Sequence, residues 1–118
     1  MEDAAVIDIP ELTERLDNDF ELYLELVDLF TDDSSSLISK IEYAISNKDH
    51  EALRKAAHTL KGAVANFSAS AAYESASILE KTARNKELTG AEEQFLKLKS
   101  EFESVITEMK RIANKGSF

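Results

Sequence analysis

The chain has 118 residues and a formal charge of −9, from 23 Asp and Glu against 14 Lys and Arg, with three glycines, one proline and no cysteine. That charge repels phosphate backbones and anionic lipid, which argues against nucleic acid or a membrane surface as partner, and the missing thiols exclude disulfides and thiolate chemistry and fit the reducing cytoplasm. Few turn-formers amid abundant Ala, Leu, Glu and Lys point to an all-α fold, and the length suits one domain over residues 1–118.

The opening "MEDAAVIDIP" is acidic where a signal peptide needs a basic start, and no run of about 18 apolar residues could span a membrane. A short first helix is expected from "DIPE", with Asp8 as cap, Glu11 at the capping-box spacing and Pro10 in the first turn, ending near Asp17 and Asn18. A second, about 19–46, carries an apolar stripe that includes Phe20, Tyr23, Leu24, Val27, Phe30, Ile38, Ile41 and Ile45. Leu22, Leu26, Leu29 and Leu37 form another strip beside it. That strip offers a docking surface, or lies under Ile9, Leu12 and Leu16 of the first helix, or does each in part. The serines at 34–36 read as an exposed polar stretch. Asp49 caps a third helix of about 50–67; a fourth runs about 69–86. "LTGAEE" opens a fifth with Thr89 and Glu92 at capping-box spacing and a seam of Phe95, Leu98, Phe102, Val105, Met109 and Ile112. Short connections make neighbours antiparallel, so the expected architecture is an up-down four-helix bundle with the short N-terminal helix laid across it. The helices suffice to bury one another, which favours a monomer, and Met1 with no flanking domain leans to a free-standing protein.

The third helix holds the chemistry. At 100° per residue, Leu53, Ala56, Leu60, Ala63, Val64 and Phe67 fall about 140–240° from His58 and face the core, leaving His58 outward. Lys61 and Gly62 stand one turn on, with Ala65 beyond. Gly62 costs a helix interior roughly 0.8–1 kcal/mol against alanine, and the apolar period runs on past it, so a helical glycine on the outer face is expected in preference to a C-cap. Metal binding is disfavoured: His50 is turned about 80° away and no acid lies one turn from His58. A general base is disfavoured as well, for want of a cleft, a carboxylate at helical spacing or an adjacent nucleophile. What remains is a nucleophile toward a phosphoryl group brought by another protein, with Lys61 offsetting phosphoryl charge and Gly62 and Ala65 leaving the donor room.

The segment "AHTLKGAVANFSA" (57–69) resembles the signature of histidine-containing phosphotransfer (HPt) domains, His-x-Leu-Lys-Gly on a bundle helix, and the likeness extends over nearly the whole chain. The resemblance implies a phosphorelay carrier, without autonomous catalytic activity. His58 would take a phosphoryl group from a receiver-domain phospho-aspartate and pass it to the aspartate of another response regulator. It also implies that partners are receiver domains or a hybrid sensor histidine kinase, that Mg²⁺ belongs to the receiver, and that this chain binds no cofactor or metal of its own. The rival expectation is a helical interaction module that binds a receiver or kinase without accepting phosphate. The sequence departs from the family pattern in two places. Ser68 stands where many members have glycine, and Ser tolerates positive φ poorly; Glu80, an anion, is the nearest residue to the glutamine that some members place near the phosphoryl group.

Overall fold

The computed structural model describes residues 5–118 and, among these, shows five helices and no strand: α1 Ile9–Arg15, α2 Phe20–Ser46, α3 His50–Ala65, α4 Ser70–Arg84 and α5 Ala91–Lys115. Met1 and the first acidic residues lie outside the described part. α2 packs on α3 and α5, and α4 on α3 and α5, which closes a ring of four antiparallel helices. α1 lies at the end where α3 gives way to α4: its Leu12 and the following Leu16 are buried, and the Asp8 N–H donates to the Ser68 carbonyl at 3.0 Å.

Aspartates start three of the helices. Asp8, Asp19 and Asp49 each accept from the backbone N–H three residues on, at 3.0–3.1 Å, satisfying a donor the helix cannot. Pro10 sits in the first turn of α1 as expected. α5 differs, because its N-cap is Gly90 at φ 84° and the Thr89 hydroxyl donates instead to Glu87 at 2.6 Å. The left-handed glycine swings the chain into the helix one residue later than the Thr89 and Glu92 spacing implied. α1, α3 and α4 end earlier than expected, since the chain leaves them through left-handed residues at Asp17 and Asn18, Ser68, and Lys86. Ser68 therefore takes the conformation for which glycine is the easier residue, at φ 56°.

The core follows the helical period. The whole α5 seam is buried, as are Leu53, Ala56, Leu60, Val64 and Phe67 on the α3 side, with Ala63 only half-buried. Each such Leu, Ile, Val or Phe contributes roughly 1.5–3 kcal/mol by leaving water. In α2, Tyr23, Phe30 and Ile41 reach the core, but Leu24 is 39% exposed, because it lies 100° round the helix from Tyr23. Ser34 is buried rather than exposed; it falls in phase with Tyr23 and Phe30, and its hydroxyl donates to the Phe30 carbonyl. Tyr23 donates to the Met109 carbonyl at 2.9 Å, and burial pushes its phenol up to about 12. No helix among the described residues is long and apolar enough to cross a membrane.

Candidate functional site

The amphipathic period of α3 turns Leu53, Leu60 and Val64 into the bundle and so carries the opposite side of the helix to the surface. Gly62 is helical and exposed there, and a Cβ on it would meet nothing within 4 Å. The helix continues past Gly62 to Ala65, so the glycine is neither a cap nor a packing requirement of the bundle. His58 lies on the same outer face with its side chain 61% exposed, as the helical layout predicts. Ala65 is half-buried, and the Thr59 hydroxyl is turned to its own helix, donating to the Lys55 carbonyl at 3.0 Å.

What the helical spacing did not supply, α4 does. Glu80, 22 residues from His58 and only 2% exposed, stands against α3 with its Oε2 2.8 Å from His58 Nδ1. Its Oε1 lies 2.6 Å from Lys61 Nζ, and Arg84 Nη2, one turn further along α4, reaches Oε2 at 2.9 Å. Burial pushes the Glu80 carboxyl up, but the hydrogen bonds from Lys61 and His58 outweigh it and hold the group below the usual carboxylate range. Glu80 is therefore ionised at neutral pH.

This arrangement corrects two expectations. His58 does have a partner carboxylate, supplied across the helix pair rather than along one helix. Lys61 does not project freely to solvent: its side chain is 21% exposed and its ammonium is paired. The signal for Glu80 was present in the sequence, as a lone acid in the apolar period of Ala72, Ala76, Leu79 and Ala83. A charge on such a stripe stays buried only where donors converge on it.

An ionised carboxylate can only accept, so in the neutral imidazole Nδ1 carries the proton and Nε2 keeps its lone pair. In that tautomer Nε2 is the ring nitrogen with an electron pair to offer. With His58 neutral, Lys61 and Arg84 outweigh Glu80 by one charge, which favours an arriving anion. Among the described residues no group of three or more His, Cys, Asp or Glu could hold a metal ion, and His50 sits at the start of α3 among charges of both signs, Asp49 and Glu51 with Lys48, Arg54, Arg84 and Lys86.

Beside this face runs a groove between α2 and α3. Leu26, Leu29 and Leu37 line it together with Ala63, Asn66 and Phe67, while Arg15 and Leu16 at the end of α1 form one edge. Leu29 is 61% exposed, so α1 covers the second leucine strip only in part; Leu22, 37% exposed, lies on the strip but outside this lining.

The sequence model of the Hpt domain matches residues 25–110. The fold is similar to the crystal structure of histidine-containing phosphotransfer protein B (HptB) from Pseudomonas aeruginosa PAO1, with a TM-score of 0.88 and 27% identity over 96% of this chain and 98% of that one. No curated protein matches the sequence. With the family pattern covering most of the chain, including the helix that carries His58, the protein belongs to the Hpt domain family, whose members are phosphotransfer carriers rather than catalytic enzymes.

Proposed function

We propose that His58 is the phosphoacceptor of this chain, taking a phosphoryl group from a receiver-domain phospho-aspartate and passing it to the aspartate of a second response regulator. The observation that carries this reading is the 2.8 Å contact of Nδ1 with a buried carboxylate, which leaves Nε2 unprotonated on an exposed side chain. Nε2 attacks phosphorus, the N–P bond forms as the acyl phosphate P–O bond breaks, and the donor aspartate leaves as a carboxylate. The ring becomes cationic while Nδ1 keeps its proton, and the Glu80 carboxylate offsets that charge. Return of the phosphoryl group to an acceptor aspartate reverses each bond change.

Lys61 and Arg84 offset charge on the non-bridging phosphoryl oxygens, each turning from Glu80 as the phosphoryl group arrives. Gly62 and Ala65 keep the surface low enough for the partner's aspartate to reach in-line geometry. Leu22, Leu26, Leu29 and Leu37 give the receiver an apolar surface beside the histidine. Mg²⁺ is carried by the receiver, and the chain works as a monomer.

The test is to incubate the chain with a panel of phosphorylated receiver domains and Mg²⁺. The expected label is stable to base and lost in acid, absent from His58→Gln and retained by His50→Gln. A label that survives His58→Gln overturns the assignment.

A further inference from the structure

Glu80 is a buried carboxylate with few neighbours that can hold its charge. On α4 it lies among Ala76, Leu79 and Ala83, which are buried with it. The polar side chains to either side, Ser75 and Thr82, are turned to Glu101 and Gln94 of α5. Its ion pairs are with His58 and Lys61 of α3 and with Arg84 of its own helix. Arg54, one turn before His58, lies near enough to feel its charge but is paired with Glu51. On the α2 side, the cations beside this stretch of α3 are Lys40 and Lys55, which line the groove with Thr59.

The three donors on Glu80 differ in freedom. Lys61 and Arg84 end long flexible stems that can swing outward, and Arg84 is already 61% exposed. The imidazole is short and stays beside Oε2, with Nδ1 at 2.8 Å. In the free chain two cations cover the single carboxylate charge, and the ring is not needed as a third. A phosphoryl group on Nε2 brings about two negative charges to the surface, and Lys61 and Arg84 turn toward it. A carboxylate that remains buried needs a counter-charge. With two of its three donors drawn away, only a cationic ring is left to supply one.

We infer that Glu80 changes counter-ions during the transfer cycle, from Lys61 and Arg84 in the free chain to the His58 ring in the phosphorylated one, and so holds the Nδ1 proton until the phosphoryl group has left. This inference rests on His58 being the phosphoacceptor. The proton matters for discharge. As the acceptor carboxylate attacks phosphorus, the O–P bond forms, the N–P bond breaks and its electron pair returns to Nε2. With Nδ1 protonated the leaving group is a neutral imidazole; without that proton it is an imidazolide anion, a far poorer one. Glu80 is thereby a positioning residue for onward transfer, in addition to the tautomer it sets for arrival. An imidazolium in water loses its proton at about pH 6.5, so a phosphohistidine without this support would retain its phosphoryl group in mildly alkaline solution. The buried carboxylate keeps the group transferable there.

The test uses the full chain with nitrogen-15 in its two histidines, phosphorylated by the receiver that labels His58 fastest in the panel above and then freed of it. Nitrogen chemical shifts distinguish a protonated Nδ1 from a bare one, and His50 serves as the internal reference. At about pH 8 the phosphorylated ring of the wild type should keep its Nδ1 proton, and that of Glu80→Gln should have lost it. Onward transfer to a fresh receiver with Mg²⁺ is then timed for both proteins from about pH 6 to about pH 9. The ratio of the two rates cancels the receiver's own titrations. It should widen about tenfold per pH unit above about pH 7, which a purely structural loss would not produce. A ratio that does not change with pH, or a wild-type phosphohistidine with a bare Nδ1 at about pH 8, overturns the inference while leaving His58 labelled. If Glu80→Gln takes too little label to follow, the wild-type nitrogen shifts decide. A chain that takes no label at His58 overturns both readings.

Discussion

Replacing Glu80 with glutamine tests the centre of the site, because it keeps the shape and removes the charge. The carboxylate serves three donors with two oxygens, Lys61 on Oε1 and both His58 and Arg84 on Oε2. An amide has one acceptor oxygen. If that oxygen faces Lys61, the NH₂ group meets Nδ1, which must give up its proton to accept; Nε2 then carries it and ceases to be a nucleophile. If the oxygen faces His58, the NH₂ group opposes the Lys61 ammonium. A buried charge-assisted hydrogen bond is worth about 1.5–3 kcal/mol, and breaking a fully buried pair costs about 3–5. Lys61 is 21% exposed and His58 and Arg84 are each 61% exposed, so water recovers part of the loss. The expected destabilisation at pH 7 is about 1–3 kcal/mol, with phosphotransfer slowed at least as much as the tautomer shift demands. The folded pKa of Glu80 is depressed below 4.5. Its stabilisation is therefore present above the unfolded value and fades as pH falls through the folded one. Urea unfolding of both proteins at pH 7 and at about pH 3 checks this: the gap should narrow in acid. Equal stability at pH 7, or a gap that does not change with pH, would refute the assignment of an ionised, functionally paired Glu80.

Three further substitutions separate structure from chemistry. Gly62→Ala should raise stability by up to about 1 kcal/mol, since the position is helical with open space around it, while Gly62→Gln should fold and yet transfer poorly; normal transfer by Gly62→Gln would remove the clearance role. Lys61→Ala should slow transfer and, because the ammonium is paired with a buried carboxylate, cost about 1–2 kcal/mol in thermal unfolding, against the roughly 0.5 kcal/mol of an ordinary surface change. Ser68→Gly should stabilise by about 1 kcal/mol, because it relieves a left-handed serine whose buried hydroxyl has no partner; a loss of stability in denaturant melts would show that the hydroxyl is satisfied.

The amino-acid sequence by itself determined what depends on neighbours within one helix. The 3.6-residue period placed the α5 seam inward and His58 outward, the aspartate caps set three helix starts, and the uninterrupted period through Val64 kept Gly62 helical. These are local matters of angle and hydrogen bonding, legible residue by residue. The tertiary structure alone decided what depends on how one helix is rotated against another. Glu80 reaches His58 and Lys61 only because α4 turns that residue toward α3, and a carboxylate on an apolar stripe is tolerable only because three donors from two helices meet there. The same dependence explains Lys61, which a single-helix layout leaves in solvent and the neighbouring helix draws into an ion pair. Leu24 and Ser34 went the other way round from expectation for a local reason: Leu24 lies 100° round α2 from Tyr23 and Ser34 falls in phase with Tyr23 and Phe30, so position on the helix outweighed residue type.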